Sequence, residues 1–160
     1  MSTDLHYEVE GQGPVVMLSH ALGCDLGMWN EVAAWLRRHY TVGRYDHRGH
    51  GASPGGHSSF GMQELAEDAA GLIAHLGLGP VHFVGVSMGG MTAQALAASH
   101  PHLVRSITVA HSASHYDAAA QAGWRTRIET GRQGGMAAVA DGALQRWLSD
   151  PYRAAHPVRV

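Results

Sequence analysis

The stretch Val81–Met91, VHFVGVSMGGM, constrains this chain more than any other. A short apolar run, Val81 to Val84, leads into Gly85-Val86-Ser87-Met88-Gly89, and an alanine-rich helical stretch follows. G-x-S-x-G between a strand and a helix is the context of a serine held on a sharp, strained turn with its hydroxyl exposed. Glycines two residues to either side leave room for helix and strand to approach closely. The helix N-terminus adds a partial positive charge and free N–H groups where an oxyanion would form. The competing reading is a glycine-rich turn that happens to contain a serine. The agreement of strand, motif and helix argues against it.

The rest of the chain alternates in a way that fits this element. Leu5–Glu10 alternates apolar and polar residues and meets Gly11-Gln12-Gly13-Pro14, which predicts an antiparallel strand and a turn. Val15–Ser19 is a nearly continuous apolar run, as expected of a strand buried on both faces of a parallel sheet. After the loop from His20 to Trp29, Asn30 is placed to cap a helix from Glu31 to about His39. Val32, Trp35 and Leu36 would form its apolar face. Tyr40–Tyr45 reads as the next strand, Asp46–Ser53 as a turn and Pro54–Phe60 as a polar loop. Met62–Leu76 is predicted to be a helix with Leu65, Ala69, Leu72 and Ile73 at core spacing, broken by Gly77–Pro80. The helix after Ser87 runs from Met88 to about Ser99, and Val104–Ala110 is a further strand. Strands alternating with helices predict an α/β fold with a mostly parallel sheet covered on both faces.

After His111 the texture changes. Residues 115–160 carry no strand signal and two helical stretches, about Ala118–Arg132 and Met136–Leu148, separated by Gly134-Gly135. Trp124, Arg125, Arg127, Arg146 and Trp147 lie on them. The division expected is a core over residues 1–112 and the start of a helical cap over residues 113–160.

Composition narrows the partners. A net charge of −2 with 15% charged residues gives no basic excess for nucleic acid or a membrane surface. The single cysteine, Cys24, permits no internal disulfide, and no apolar run reaches membrane-spanning length. The cytoplasm is the simplest expectation. Thirteen histidines invite a metal, but none sits in an H-E-x-x-H pattern or beside cysteines at zinc spacing. Scattered surface or turn histidines are the reading, with no metal site.

Three further stretches carry a resemblance: Leu18-Ser19-His20-Ala21-Leu22-Gly23-Cys24-Asp25-Leu26-Gly27-Met28-Trp29, Asp46-His47-Arg48-Gly49-His50-Gly51-Ala52-Ser53, and Gly123-Trp124-Arg125-Thr126-Arg127-Ile128 with Gly134-Gly135-Met136 and Arg146-Trp147. Together with the Ser87 motif, they make the chain resemble the α/β-hydrolases, and more narrowly the 3-oxoadipate enol-lactonases of aromatic-compound catabolism, the β-ketoadipate pathway.

The resemblance implies a serine α/β-hydrolase that opens a lactone bearing a free carboxylate, with no metal or organic cofactor. Ser87 would be the nucleophile, and the backbone N–H groups of Leu22 and Met88 the oxyanion hole. Trp124, Arg125, Arg127, Arg146 and Trp147 would line the substrate, an arginine receiving its carboxylate. The resemblance also implies that the chain is the N-terminal portion of such a fold. The C-terminal strands carrying the acid and the catalytic histidine would be absent, so the chain alone would be weakly active or inactive. His111 does not match the family's histidine. His20 reads as loop-shaping, Arg48, His50 and Asp46 as structural, and Cys24 as packing. With no strands beyond Val104–Ala110, that strand is an exposed edge, expected to pair with another copy or a complementing C-terminal half. A general carboxylesterase or perhydrolase, and a non-catalytic hydrolase-like binding module, remain as alternatives.

Overall fold

The computed structural model describes residues 4–55 and 59–157. The middle of the loop read over Pro54–Phe60 and the last three residues of the chain lie outside them. Five strands form one sheet: β1 (Tyr7–Glu10), β2 (Val15–Ser19), β3 (Thr41–Tyr45), β4 (Val81–Val86) and β5 (Val104–Ala110). Their spatial order is β1-β3-β2-β4-β5. Only β1 runs antiparallel, paired with β3 from Tyr7 opposite Tyr45 to Glu10 opposite Val42. The parallel strands are joined through helices α1 (Asn30–Leu36), α2 (Met62–Leu76) and α3 (Met88–Ser99). This is the mostly parallel α/β architecture that the alternation of apolar runs and helical periods predicts.

Both faces of the sheet bury side chains, which is why β2 reads as an unbroken apolar run. On one face Met17, Tyr45 and Phe83 pack with Ala66, Ala69, Leu72 and Ile73 of α2 and Leu96 of α3; Leu65 is buried as well. On the other, Val16, Leu18 and Val42 pack with Trp29 and Ala33. α2 begins with the Glu64 carboxylate accepting the Gly61 N–H at 2.8 Å and ends at Gly77, whose φ of 62° only glycine adopts without strain.

α1 departs from the expectation. Asn30 does not cap it: a 3-10 turn over Leu26–Trp29, itself capped by the Asp25 side chain on the Gly27 N–H, runs straight into α1. The Asn30 side chain instead accepts from the Arg44 guanidinium. The turn rotates the helix, so its buried stripe is Trp29, Ala33 and Leu36, while Val32 and Trp35 are 42% and 64% exposed. α1 also ends at Leu36, short of His39.

The chain divides into two compact units, Met1–Ser114 and His115–Val160. The second holds α4 (Ala118–Gly134), α5 (Ala137–Trp147) and α6 (Asp150–Ala155). α6 was not read from the sequence; Ser149 caps it and Pro151 sits in its first turn. No helix among the described residues is long and apolar enough to cross a membrane. Among the described residues β5 pairs only with β4 and forms the sheet edge, with Ile107 and Val109 each 38% exposed.

Candidate active site

The chain leaves β2 for β3 on one side and later enters β4 on the other. The C-terminal ends of β2 and β4 therefore flank a topological switch point, where open α/β sheets bind ligands. Ser19 pairs with Gly85 in register, so the loop after β2 and the turn carrying Ser87 leave the sheet at the same level.

Ser87 joins β4 to α3 with φ 53° and ψ −113°, a conformation a side-chain-bearing residue holds only when its surroundings fix it. Three bonds fix it here. The Ser87 N–H donates to Ala110 O at 3.0 Å, Ser87 O accepts from the Met91 N–H at 3.0 Å, and the Ser112 hydroxyl donates to Ser87 O at 2.8 Å. The motif's glycines are steric necessities. A Cβ on Gly85 would lie 2.1 Å from Gly89 O, and one on Gly89 would lie 2.2 Å from Ser19 O. α3 is thus pressed against both β4 and the end of β2. Met88 is the first residue of α3, so its N–H has no acceptor one turn back.

The loop after β2 is equally constrained. Ala21 O accepts from the Cys24 N–H at 3.1 Å and closes a tight turn through Gly23, whose φ is 77°. Ala21 O also accepts from His20 Nδ1–H at 2.8 Å. The Ala21 N–H donates to Met28 Sδ at 3.4 Å, tying the loop to the 3-10 turn. Leu22 is the exposed second residue of this turn, and its N–H donates to no acceptor among the described residues.

Beneath the loop lies a polar network that sequence reading missed. His20 and His47 are fully buried, which corrects the expectation that the histidines are surface and turn residues. His20 Nε2 accepts from the His47 backbone N–H at 2.9 Å. His47 Nε2 lies 2.9 Å from Ser19 Oγ, which lies 3.2 Å from the Tyr45 hydroxyl; His47 Nδ1 has no partner among the described residues. Burial, with His20 and His50 nearby, lowers the His47 pKa to about 3. Burial likewise lowers His20 and pushes the Tyr45 phenol up. The only legible signal was a polar Ser19 and Tyr45 at the ends of two apolar strands.

Asp46 is a structural hub. Its carboxylate accepts from the Leu26 N–H at 2.7 Å, the Ala52 N–H at 2.9 Å and His6 Nδ1 at 2.9 Å, joining the turn after β3 to the loop after β2 and to the residue before β1. Arg48 pairs with Asp68 of α2, and burial beside Asp25 pushes the Cys24 thiol up. No side chain among the described residues hydrogen-bonds the Ser87 hydroxyl. His111 is exposed at the end of β5, with a positive φ of 47°.

Within the second unit, Trp124 and Arg127 come together. Three residues apart on α4, they stack with the guanidinium carbon 4.7 Å from the ring centroid, and Tyr116 meets Trp124 edge-on at 6.2 Å. Arg125 lies a different way round the helix, exposed. Arg146 and Trp147 are exposed on α5.

Comparison with known proteins agrees with this geometry. Residues 14–152 match the model of the alpha/beta hydrolase fold family. The chain is 35% identical over 147 residues to 3-oxoadipate enol-lactonase 2 of Acinetobacter baylyi, covering 91% of this chain and 54% of that protein. The crystal structure of the enol-lactonase from Burkholderia xenovorans superposes with a TM-score of 0.89 at 36% identity, over 96% of this chain and 60% of that one. A thermophilic esterase from Thermogutta terrifontis gives a TM-score of 0.87 at 29% identity, over 96% of this chain and 57% of that one. The chain spans about half the length of the curated relatives it matches.

Proposed function

Because the chain belongs to the α/β-hydrolase family, we propose that it carries the nucleophile and oxyanion hole of a carboxylic ester hydrolase that opens a lactone. The reading on substrate is 3-oxoadipate enol-lactone, hydrolysed to 3-oxoadipate in aromatic-compound catabolism. The observation that carries the proposal is Ser87, held at φ 53° between β4 and α3 with the free N–H of Met88 beside it. In this reading Ser87 Oγ attacks the lactone carbonyl. The N–H groups of Met88 and Leu22 donate to the oxyanion, the ring oxygen leaves as an enolate, and water hydrolyses the acyl-enzyme. No side chain among the described residues serves Ser87 as a base, and the resemblance puts the acid and the histidine on strands that this sequence does not hold, so residues 1–160 alone are expected to turn over substrate weakly or not at all.

The substrate carboxylate needs a cation. Among Arg125, Arg127 and Arg146, Arg127 is the best prepared, because stacking on Trp124 already restricts its guanidinium. The experiment compares hydrolysis of the enol-lactone with that of a neutral 4-nitrophenyl ester by the enzyme completed with the polypeptide that supplies the base, unaltered and as Ser87→Ala and Arg127→Ala. Ser87→Ala is expected to abolish turnover of both, and Arg127→Ala to raise KM for the lactone alone. Equal effects of Arg127→Ala on both substrates would remove the carboxylate argument. They would favour the second reading, a general carboxylesterase, which the likeness to the thermophilic esterase supports.

A further inference from the structure

The two oxyanion donors are supported by one buried group. His20 is two residues before Leu22 and fully buried. Both of its ring nitrogens are committed. Nδ1 faces Ala21 O at 2.8 Å, and since a carbonyl only accepts, Nδ1 carries the proton. Nε2 faces the His47 N–H at 2.9 Å, and since an amide only donates, Nε2 must be unprotonated. A charged imidazole would set two donors against each other. The site therefore selects one tautomer of the neutral ring.

That ring ties together the pieces that define the oxyanion hole. Through Ala21 O it shares an acceptor with the Cys24 N–H and so holds the turn bearing Leu22. Through His47 it anchors the loop after β2 to the loop after β3. The residue before His20, Ser19, has its carbonyl where a Gly89 Cβ would collide, and so abuts the first turn of α3, which carries Met88. His47 depends on the same neutrality. Tyr45, Ser19 and a neutral His47 bring three protons to two contacts, so a charged His47 would add a buried donor with no acceptor. The titratable groups around the pair are Asp25, Tyr45, Asp46 and His50; α3 contributes none.

We propose that His20 is a positioning residue for the oxyanion loop, acting only as the neutral Nδ1–H tautomer, so that protonation releases the turn bearing Leu22. The proposal rests on the reading of that turn as half of an oxyanion hole. Its test reads protons and amides, and so stands apart from whether an ester is turned over. Nitrogen-15 correlation spectra of the unaltered chain are expected to show His20 with Nδ1 protonated and Nε2 bare, with a titration midpoint below the free-imidazole value of about 6.5. An Nε2–H tautomer, or a midpoint at or above that value, would overturn the proposal.

The second arm is amide exchange. His20→Ala is expected to speed exchange at the Cys24 amide by about tenfold or more while Met17 and Leu18 in β2 stay protected. His20→Gln, whose side-chain amide supplies a donor and an acceptor, recovers most of the protection. Unchanged exchange at Cys24, or an equal rise at Cys24 and in β2, would mean that His20 merely fills the core. Should His20→Ala fail to fold, the tautomer titration of the unaltered chain decides the matter alone.

Discussion

Substituting alanine at Gly89 separates two effects of opposite sign. Gly89 is the second residue of α3, and helix propensity alone says alanine there gains about 1 kcal/mol. The structure says otherwise. The added Cβ would lie 2.2 Å from Ser19 O, 2.6 Å from Ser19 C and 2.8 Å from Ser19 Oγ. The first of these is well over 1 Å inside ordinary contact, and two of the three atoms are backbone of a central strand, so relief requires moving α3. Overpacking of this kind costs about 1–3 kcal/mol, and with backbone on both sides the upper end applies. The net expectation is a loss of about 2 kcal/mol, or roughly 8 °C in Tm for a domain of this size. Gly71 is the matched control: it lies inside α2, and its added Cβ meets nothing within 4 Å. Gly71→Ala should gain up to about 1 kcal/mol. Thermal and urea unfolding by circular dichroism give both values. Gly89→Ala at or above the stability of Gly71→Ala would refute the steric account of the Ser87 turn.

Asp46→Ala removes the acceptor of three donors; His6 is open to water, and with the Leu26 and Ala52 amides costing about 1–3 kcal/mol each when stranded, a loss of at least about 2 kcal/mol is expected in urea denaturation. Stability should also fall on acidification. His47 titrates at about 3 in the folded chain, so between that value and the unfolded value near 6.5 the unfolded state holds the extra proton. The stability contributed by the neutral His47 is complete above pH 6.5 and declines by about 1.4 kcal/mol per pH unit well below it. A flat unfolding free energy from pH 7 to 5, or a His47→Gln slope as steep as the parent's, would contradict this. Residues 1–160 purified alone should self-associate through β5, and Ile107→Lys, which places a charge on that edge, should reduce the association in sedimentation velocity. A monomer at every concentration would show the edge to be protected.

Periodicity made much of this fold legible. Val15–Ser19, Met62–Leu76 and Val104–Ala110 have the bounds the sequence indicates, because each is a long or strongly apolar element ended by Gly, Pro or a polar turn. α1 was misread because Val32, Trp35 and Leu36 satisfy helical spacing by themselves, while the 3-10 turn before them sets which face is buried. The Ser87 turn was legible as a motif. The His20–His47–Ser19–Tyr45 network was not, since it joins residues up to 28 positions apart through strand register. α6 was missed for a local reason: its six residues are too short for any period to register.

Ser87 is proposed as a nucleophile beside a formed oxyanion hole. A serine without its base is a weak nucleophile, so the test is made on the enzyme completed with the polypeptide that supplies the base. The direct measurement is intact-mass and peptide mapping after incubation with a fluorophosphonate. A single phosphonyl adduct on Ser87, absent from Ser87→Ala, is expected. Labelling of any other residue in place of Ser87, or equal labelling of the Ser87→Ala chain, would contradict it.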